Sequence, residues 1–284
     1  IILARLLFPE DVGLFGIASI MLLAFEVLTR TGFEDAIIHI QDRIEEYLHT
    51  SYWIQVLRGF IIGAIVYVGA PYIAAFFNEP TVIPIVRVLA LVQVIKGMRS
   101  IGIVILRKEL SFKKHVLYLF NGTLANFIVT VVLAVIFRDV WALVWGSVVA
   151  ELVLTISSYY YHSYKPRFTF SWERAKYLFN FGIWLLGSGI LSYLSLQADN
   201  IFAGKFIGTS ALGIYQMGYY IANLPTTEIS KQIGTVIQSG YAELQNSRKP
   251  IREFYSNTFI AIFSVILPIV LVLILLSYLL IPII

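Results

Sequence analysis

The chain has 284 residues, of which 58% are hydrophobic and only 13% are charged. This charged fraction is about half of that in ordinary soluble domains, which excludes a typical water-soluble globular protein. The apolar content excludes a disordered chain, and the absence of cysteine excludes disulfides and thiolate chemistry. A formal net charge of +4 is a weak signal for nucleic-acid binding, so we expect no nucleic-acid partner.

Apolar stretches long enough to cross a bilayer, which takes about 20 helical residues, follow one another along the chain. In chain order we predict membrane helices at 12–33, 48–77, 81–106, 113–137, 139–162, 175–198, 209–240 and 252–284. Apolar residues also stand at both ends, at 1–7 and 281–284, so we expect a piece cut inside the membrane at each end. The predicted fold class is all-α, a polytopic transmembrane helix bundle.

Lysine and arginine are concentrated in alternate connections between these spans. The opposite connections hold only Arg5, Arg138 and Lys205. By the positive-inside rule, the richly basic connections are cytoplasmic. Their basic residues are Arg43, Arg107, Lys108, Lys113, Lys114, Lys165, Arg167, Arg174, Lys176, Arg248, Lys249 and Arg252.

The chain contains a weak internal repeat. The segment from Ala4 to Phe15 is echoed, after one inserted residue, by the segment from Ala203 to Tyr215. Both copies lie on the same side of the predicted topology, so the repeat is parallel and implies two lobes related by an axis along the membrane normal. We therefore predict an N-terminal lobe at 1–164 and a partial C-terminal lobe at 165–284. Chance similarity is the alternative.

Charged residues inside the predicted spans need an explanation, because each costs about 2.5–3.5 kcal/mol at a helix centre that faces lipid. We expect them to face protein or water instead. Serine, threonine and amide side chains also form stripes at steps of three or four along several spans, and hydrogen-bonding between helices is the simpler role for these. The charged residues are Glu26, Arg30, Arg58, Arg87, Lys96, Arg99, Glu151, Glu228 and Lys231.

Cations outnumber carboxylates by five to two in the cytoplasmic halves of the spans, where only Glu26 and Glu228 are acidic. This excess predicts a basic chamber that attracts phosphate, because guanidinium groups bind phosphate oxygens in pairs. We predict these cations, together with two amides, to line the chamber and bind substrate. The seven residues are Arg30, Arg58, Lys96, Arg99, Lys231, Gln55 and Asn223.

Three carboxylates are candidates for coupling to H⁺ or Na⁺, namely Glu26, Glu151 and Asp199. An isolated carboxylate in a membrane takes up a proton easily, which suits such coupling. For Glu151 the equal alternative is a pair with an arginine of a neighbouring helix. For Asp199 the alternative is a helix cap or an interface group.

Enzyme signatures are absent from the sequence. Gly204 and Lys205 lack the upstream glycine of a phosphate-binding loop. The four histidines lie at predicted membrane edges, where an interfacial role is more common than metal binding or catalysis. We therefore expect no catalytic residues, no metal site and no resident cofactor.

Several segments resemble a known family in their order and spacing. They are Ala4-Arg5-Leu6-Leu7 with Pro9-Glu10-Asp11-Val12-Gly13-Leu14-Phe15, Leu106-Arg107-Lys108-Glu109-Leu110-Ser111-Phe112, Val140-Trp141-Ala142-Leu143, and Asp199-Asn200 with Ala211-Leu212-Gly213-Ile214-Tyr215. Together they resemble the polysaccharide-exporter and O-antigen flippase branch of the multidrug/oligosaccharidyl-lipid/polysaccharide exporter superfamily. The resemblance covers essentially the whole chain.

The resemblance implies a two-lobe bundle with six helices per lobe in the bacterial inner membrane, of which this chain would hold the end of helix 1 to helix 9. It implies a transporter, and not an enzyme, that flips undecaprenyl-diphosphate-linked oligosaccharide units to the outer leaflet by alternating access. The polysaccharide polymerase machinery is then an expected partner beside the lipid bilayer. The alternatives are an ion-coupled multidrug exporter, which would need an acidic chamber, and a membrane enzyme of lipid-linked sugar assembly.

Overall fold

The computed structural model describes residues 2–29, 32–39, 44–109, 111–162, 164–223 and 251–280. Every regular element within these ranges is helical. In chain order the helices are α1 (Ile2–Leu6), α2 (Pro9–Leu28), α3 (Phe33–His39), α4 (Ile44–Phe77), α5 (Val82–Gly97), α6 (Ile103–Lys108), α7 (Phe112–Phe137), α8 (Trp141–Tyr161), α9 (Trp172–Phe202) with a π-helical turn (Ala203–Ile207), α10 (209–223) and α11 (Ile251–Leu280).

Five of these helices contain segments long and apolar enough to cross a membrane. Helix α9 is long enough at 31 residues but is more polar, and α5, with 16 residues, is shorter than the usual span. The predicted all-α, polytopic membrane fold is confirmed. The five segments are Pro9–Leu28, Tyr47–Phe77, Lys113–Phe137, Trp141–Tyr161 and Thr258–Leu276.

The prediction of one continuous helix over 81–106 is wrong. Helix α5 ends at Gly97, and α6 begins only at Ile103. A helix that ends at membrane depth leaves its last carbonyl groups without partners, and hydrocarbon cannot supply any. The break is possible because side chains from α4 and α8 bond these groups.

Helix α8 supplies two of these bonds and also binds an amide of the turn after α5. The Thr155 hydroxyl donates to the Ile95 carbonyl at 3.1 Å, and the Tyr159 hydroxyl donates to the Met98 carbonyl at 2.7 Å. The Ser158 hydroxyl accepts from the Ser100 amide at 2.8 Å and donates to the Thr155 carbonyl at 2.6 Å. These hydroxyl groups hold the helices together, as the spacing of the stripe predicts.

The chain divides into two compact units, one of Leu6–Ile214 and one of Tyr215–Ile284 with Leu3–Arg5. The core of the first unit is formed by fully buried side chains from five helices, Ile17, Val66, Val86, Val144 and Leu212. In the second unit the membrane-long part of α11 exposes its apolar side chains. The predicted lobe boundary between residues 164 and 165 stays a prediction.

The two copies of the repeated segment meet within the first unit. A Cβ atom on Gly13 would lie 1.8 Å from the Thr209 carbonyl oxygen, and a Cβ atom on Gly213 would lie 1.8 Å from the Pro9 carbonyl oxygen. Pro9 and Thr209 each precede their own glycine by four residues. The starts of α2 and α10 therefore touch through equivalent residues, the reciprocal pattern that a local two-fold axis produces. Neither glycine leaves room for a side chain.

Helices α4 and α5 also approach each other through glycine. A Cβ atom on Gly59 would lie 2.8 Å from both the Gln93 carbonyl oxygen and the Gly97 Cα atom. One turn further along α4, a Cβ atom on Gly63 would lie 2.6 Å from a methyl group of Val94. Because glycine has no side chain, α4 and α5 can pack closely here, as is common between membrane helices. This close packing places α4 beside the end of α5.

Replacing Gly59 with alanine is expected to destabilise the protein by about 1–3 kcal/mol, because the new methyl group would overlap backbone atoms of α5. The matched control is Gly69→Ala on the same helix, where a Cβ atom meets nothing within 4 Å. Alanine is the better helix former, so this variant should be as stable as the wild type or slightly more stable. Thermal unfolding of the full-length protein in detergent measures both. Equal stability of the two variants would contradict the close packing of α4 and α5.

Candidate functional site

A polar cavity of about 410 Å³ lies between α2, α3, α4 and α5. Five residues that the sequence analysis placed in a substrate chamber or an ion-coupling role line it, namely Glu26, Gln55, Arg58, Lys96 and Arg99. The first and the last of these residues, Glu26 and Arg99, are 73 positions apart in the sequence. Their predicted depth in the membrane suggested a shared chamber, and the packing of the helices brings them together.

Lys96 and Glu26 form an ion pair across this cavity. The Lys96 Nζ atom lies 2.5 Å from Glu26 Oε1, and both side chains are about one third exposed. Arg58 donates from a terminal nitrogen to the Glu26 main-chain carbonyl at 2.8 Å and from Nε to the Thr29 hydroxyl at 3.2 Å. The last turn of α2 is thereby tied to two cations, one from α4 and one from α5.

Arg99 forms a second ion pair, with Glu151 of α8, and this pair is more deeply buried than the first. The Arg99 guanidinium carbon lies 5.9 Å from the centre of the Tyr118 ring, within the range of a cation–π interaction. Its Nε atom is buried and has no hydrogen-bond partner among the residues that the structure describes. Of the two hypotheses for Glu151, the structure agrees with the second, an ion pair with an arginine of a neighbouring element.

Gln55 lines the cavity and also holds its shape. Its amide nitrogen lies within hydrogen-bond distance of three carbonyl oxygens, at 3.3 Å from Lys96, 3.3 Å from Gly97 and 3.0 Å from Arg99. They lie at the end of α5 and in the turn that follows it, where the regular hydrogen bonds of the helix stop. Gln55 therefore fixes the backbone that carries Lys96 and Arg99, so that both cations stay directed at the cavity.

The cations and carboxylates that line the cavity are closer in number than the five cations and two carboxylates counted from the sequence. Glu34 of α3 lines the cavity and lies 3.6 Å from Arg107, measured between Oε2 and a terminal nitrogen. The sequence analysis missed Glu34 because it assigned this region to a connection, without the short helix α3. Among the described residues the lining carries three cations, Arg58, Lys96 and Arg99, against two carboxylates, Glu26 and Glu34.

Among the described residues, three of the predicted site residues, Glu151, Asp199 and Asn223, are not part of the cavity lining. Arg30 and Lys231 lie outside the described residues. Asn223 belongs to the second compact unit, and its amide donates to the Tyr219 carbonyl at 3.0 Å. Asp199 of α9 is exposed and accepts from the Asn200 amide at 2.8 Å, away from the cavity lining. The substrate and ion-coupling roles given to these residues stay predictions.

The chemistry available at this site is anion binding. Guanidinium and ammonium groups from α4, α5 and the turn after α5 point into one polar space, where low dielectric surroundings strengthen their attraction for an anion. Within the described ranges, no cluster of three or more histidine, aspartate or glutamate side chains is placed to hold a metal ion. An oxyanion such as phosphate suits this set of donors.

Known proteins that are similar to this chain have related names. The chain is 28% identical over 239 residues to the teichuronic acid biosynthesis protein TuaB of Bacillus subtilis, covering 82% of this chain and 48% of that one. It is 25% identical over 257 residues to the lipopolysaccharide biosynthesis protein WzxC of Escherichia coli, covering 89% and 52%. It is 22% identical over 248 residues to the succinoglycan biosynthesis transport protein ExoT of Rhizobium meliloti, covering 87% and 50%.

The chain spans about half the length of these curated relatives. No solved structure matches it at a significant level. The sequence profile of one family, described as polysaccharide biosynthesis protein, matches residues 2–284. With its apolar helices and its bacterial relatives, the chain belongs to the polysaccharide biosynthesis protein family and is a multi-pass protein of the bacterial plasma (inner) membrane.

Proposed function

We propose that the complete protein is a transporter without enzymatic activity that flips polyprenyl-diphosphate-linked oligosaccharide units from the cytoplasmic to the outer leaflet. The observation that carries this proposal is the polar cavity in which Arg58, Lys96 and Arg99 converge between apolar helices. The family membership and the name of the succinoglycan biosynthesis transport protein support a role in polysaccharide export. We expect the flipped units to pass to the polysaccharide polymerase machinery.

In this proposal the diphosphate binds in the cavity while the lipid tail stays in the bilayer. Arg58 and Arg99 supply planar pairs of N–H donors, and Lys96 supplies a compact charge. The buried Nε atom of Arg99, which makes no hydrogen bond to a described residue, offers a donor for a phosphate oxygen. The sugars, which need hydrogen bonds, occupy the polar space that the cavity opens between the helices.

The contact between Gly13 and Gly213 supports alternating access. By the positive-inside rule the starts of α2 and α10 lie on the outer side of the membrane, and Lys96 and Arg99 lie towards the cytoplasmic side. In the first compact unit the helix starts touch while the basic cavity is open. This arrangement corresponds to a state that is closed outside and ready to receive an anion from the cytoplasm. Separation of the repeated segments would then open the other side.

We further propose that substrate binding exchanges the partners of the cations. A diphosphate that binds Lys96 displaces Glu26, which is otherwise its partner at 2.5 Å. The released carboxylate then loses its ion-pair partner in a cavity between membrane helices, a costly state that uptake of H⁺ or Na⁺ relieves. Glu26 thus couples ion uptake to substrate binding, and Glu151 has the same relation to Arg99.

Neutralising two cavity cations in the full-length protein, as Arg58→Gln with Lys96→Gln, is expected to reduce export at least tenfold. Loss of two charge-assisted contacts to phosphate gives this scale. The measurement is the amount of lipid-linked oligosaccharide that builds up on the cytoplasmic leaflet of a host depleted of the native protein. The matched control is Lys113→Gln with Lys114→Gln, two exposed lysines at the start of α7 outside the cavity. Normal export by the cavity variant, at normal protein levels, would contradict the proposal; altered drug sensitivity in its place would favour a multidrug exporter.

The exchange of partners predicts a particular effect of Glu26→Gln. The neutral amide no longer competes for Lys96, so a short-chain isoprenyl diphosphate should bind the full-length protein several-fold more tightly than it binds the wild type. Wild-type binding should also depend on pH or on sodium, since binding takes up one of these ions, and the variant should lose this dependence. Titration calorimetry at several pH values and sodium concentrations measures both effects.

Glu10→Gln is the matched control, since Glu10 is an exposed glutamate at the start of the same helix. It should bind the diphosphate as the wild type does, with the same ion dependence. Weaker binding by Glu26→Gln, or an unchanged ion dependence, would show that Glu26 does not exchange with substrate.

A further inference from the structure

A second, smaller groove of about 330 Å³ lies on the outside of the α4–α5 pair. Six residues line it, five of them apolar or aromatic, and the sixth is a cation; they are Tyr67, Ile83, Pro84, Val88, Leu91 and Arg87. The groove is open to the surroundings, because Tyr67 is 52% exposed and Leu91 is 50% exposed. The sequence analysis expected Arg87 to face protein or water, but its side chain is exposed on the face of α5 that would contact the bilayer.

The lining residues of α5 form a stripe along one face of the helix. These residues are separated by steps of three, one and three positions, which places them on the same side of the helix. They are Pro84, Arg87, Val88 and Leu91. The opposite face of the helix, with Ile85, Val86 and Leu89, is buried in the core. The groove is therefore separate from the cavity of Glu26 and Arg58, and none of its lining residues is shared with that cavity.

The polarity of the groove changes with depth along α5. Arg87 is five residues beyond the first residue of α5, Val82, which is about 7.5 Å along the helix. An arginine side chain at this depth reaches the headgroup level by extending along the helix. Leu91 lies one further turn towards the membrane centre. The groove thus has a cation at its shallow part and apolar walls at its deep part.

The positive charge of Arg87 has no carboxylate partner among the described residues. Its guanidinium carbon lies 5.2 Å from the centre of the Tyr67 ring, which stabilises the cation through the face of the ring but leaves the N–H groups without strong acceptors. The nearest carboxylate along the chain, Glu79, accepts from the Thr81 hydroxyl at 2.6 Å. An outside acceptor with negative charge is what the groove lacks.

We propose that this groove binds one anionic phospholipid of the leaflet opposite the basic connections. The phosphate accepts hydrogen bonds from Arg87, and the upper part of one acyl chain lies along Tyr67, Val88 and Leu91. The order of cation and apolar wall matches the order of phosphate and acyl chain in a lipid. A further helix of the longer protein packed here would bury Arg87 without supplying its counter-charge, unless that helix brought a carboxylate.

The test uses the full-length protein, exchanged into a mixture of phosphatidylglycerol and phosphatidylcholine and analysed by native mass spectrometry. The wild type should retain phosphatidylglycerol in preference to phosphatidylcholine. Arg87→Gln should lower this preference about tenfold, the scale expected for loss of a charge-assisted pair of hydrogen bonds. Leu91→Trp, which fills the deep part of the groove and keeps the charge, should lower it as well.

Lys205→Gln is the matched control. Lys205 also lies over an aromatic ring, with its Nζ atom 5.1 Å from the centre of the Phe76 ring, but it is not part of the groove. This variant loses the same charge and should keep the lipid preference. An equal loss with Lys205→Gln would overturn the proposal, as would unchanged preference in Arg87→Gln.

Two further results would also overturn it. In the first, inorganic phosphate binds the wild type and not Arg87→Gln in phosphatidylcholine alone. If it also abolishes retention of phosphatidylglycerol in the lipid mixture, the site is one for a free anion. If Arg87→Gln yields too little folded protein, Leu91→Trp decides, and unchanged lipid preference in that variant would show that the remainder of the protein covers the groove.

Discussion

A helix that ends at membrane depth must have its last carbonyl groups bonded by protein, and this constraint organises the site. Helix α5 ends at Gly97, where the Gln55 amide, the Thr155 hydroxyl and the Tyr159 hydroxyl take over its carbonyl groups. Because the bonds come from α4 and α8, they hold three helices around one point. Lys96 and Arg99 are placed at this point, and the polar cavity lies beside it.

The ion pairs at the cavity give it two properties at once. With Lys96 held by Glu26 and Arg99 held by Glu151, the empty chamber carries little uncompensated charge, which lets it exist between apolar helices. The same cations remain the strongest anion-binding groups in the described part of the chamber. A substrate anion therefore has to replace a carboxylate, and we propose that this replacement connects binding to ion uptake. The two glutamates, which the sequence analysis considered for ion coupling, acquire a physical reason for that role.

The spans were predictable because long apolar runs have few other stable forms in a membrane protein, and the ends of α2, α4, α7 and α8 agree with their predicted spans to five residues or better. The sequence also grouped Arg58, Lys96 and Arg99, because all three were predicted to lie in the cytoplasmic halves of their helices. The break after Gly97 escaped prediction, because it depends on hydrogen bonds from Gln55 and Thr155 that no local pattern reveals. The ion-pair partners of the cations could not be predicted for the same reason. Glu151 lies 52 positions from Arg99 in the sequence, and helix packing decides which residues pair at that separation. Arg87, which the sequence analysis expected to face protein or water, is exposed near the start of α5, from where its side chain can extend to the membrane surface.

The central claim is that water and phosphate reach the cavity cations from the cytoplasm. Residues 1–284 contain no cysteine, so single cysteines can report on this directly once any cysteine elsewhere in the full-length protein is replaced. Leu23 lines the cavity and is 39% exposed, while Phe60 is 51% exposed on α4 and is not part of the cavity lining. In inside-out vesicles with the full-length protein, a charged thiol reagent should modify Leu23→Cys, pyrophosphate should protect it, and Phe60→Cys should stay unmodified. A Leu23→Cys protein that the reagent does not modify, or that pyrophosphate does not protect, would contradict the account.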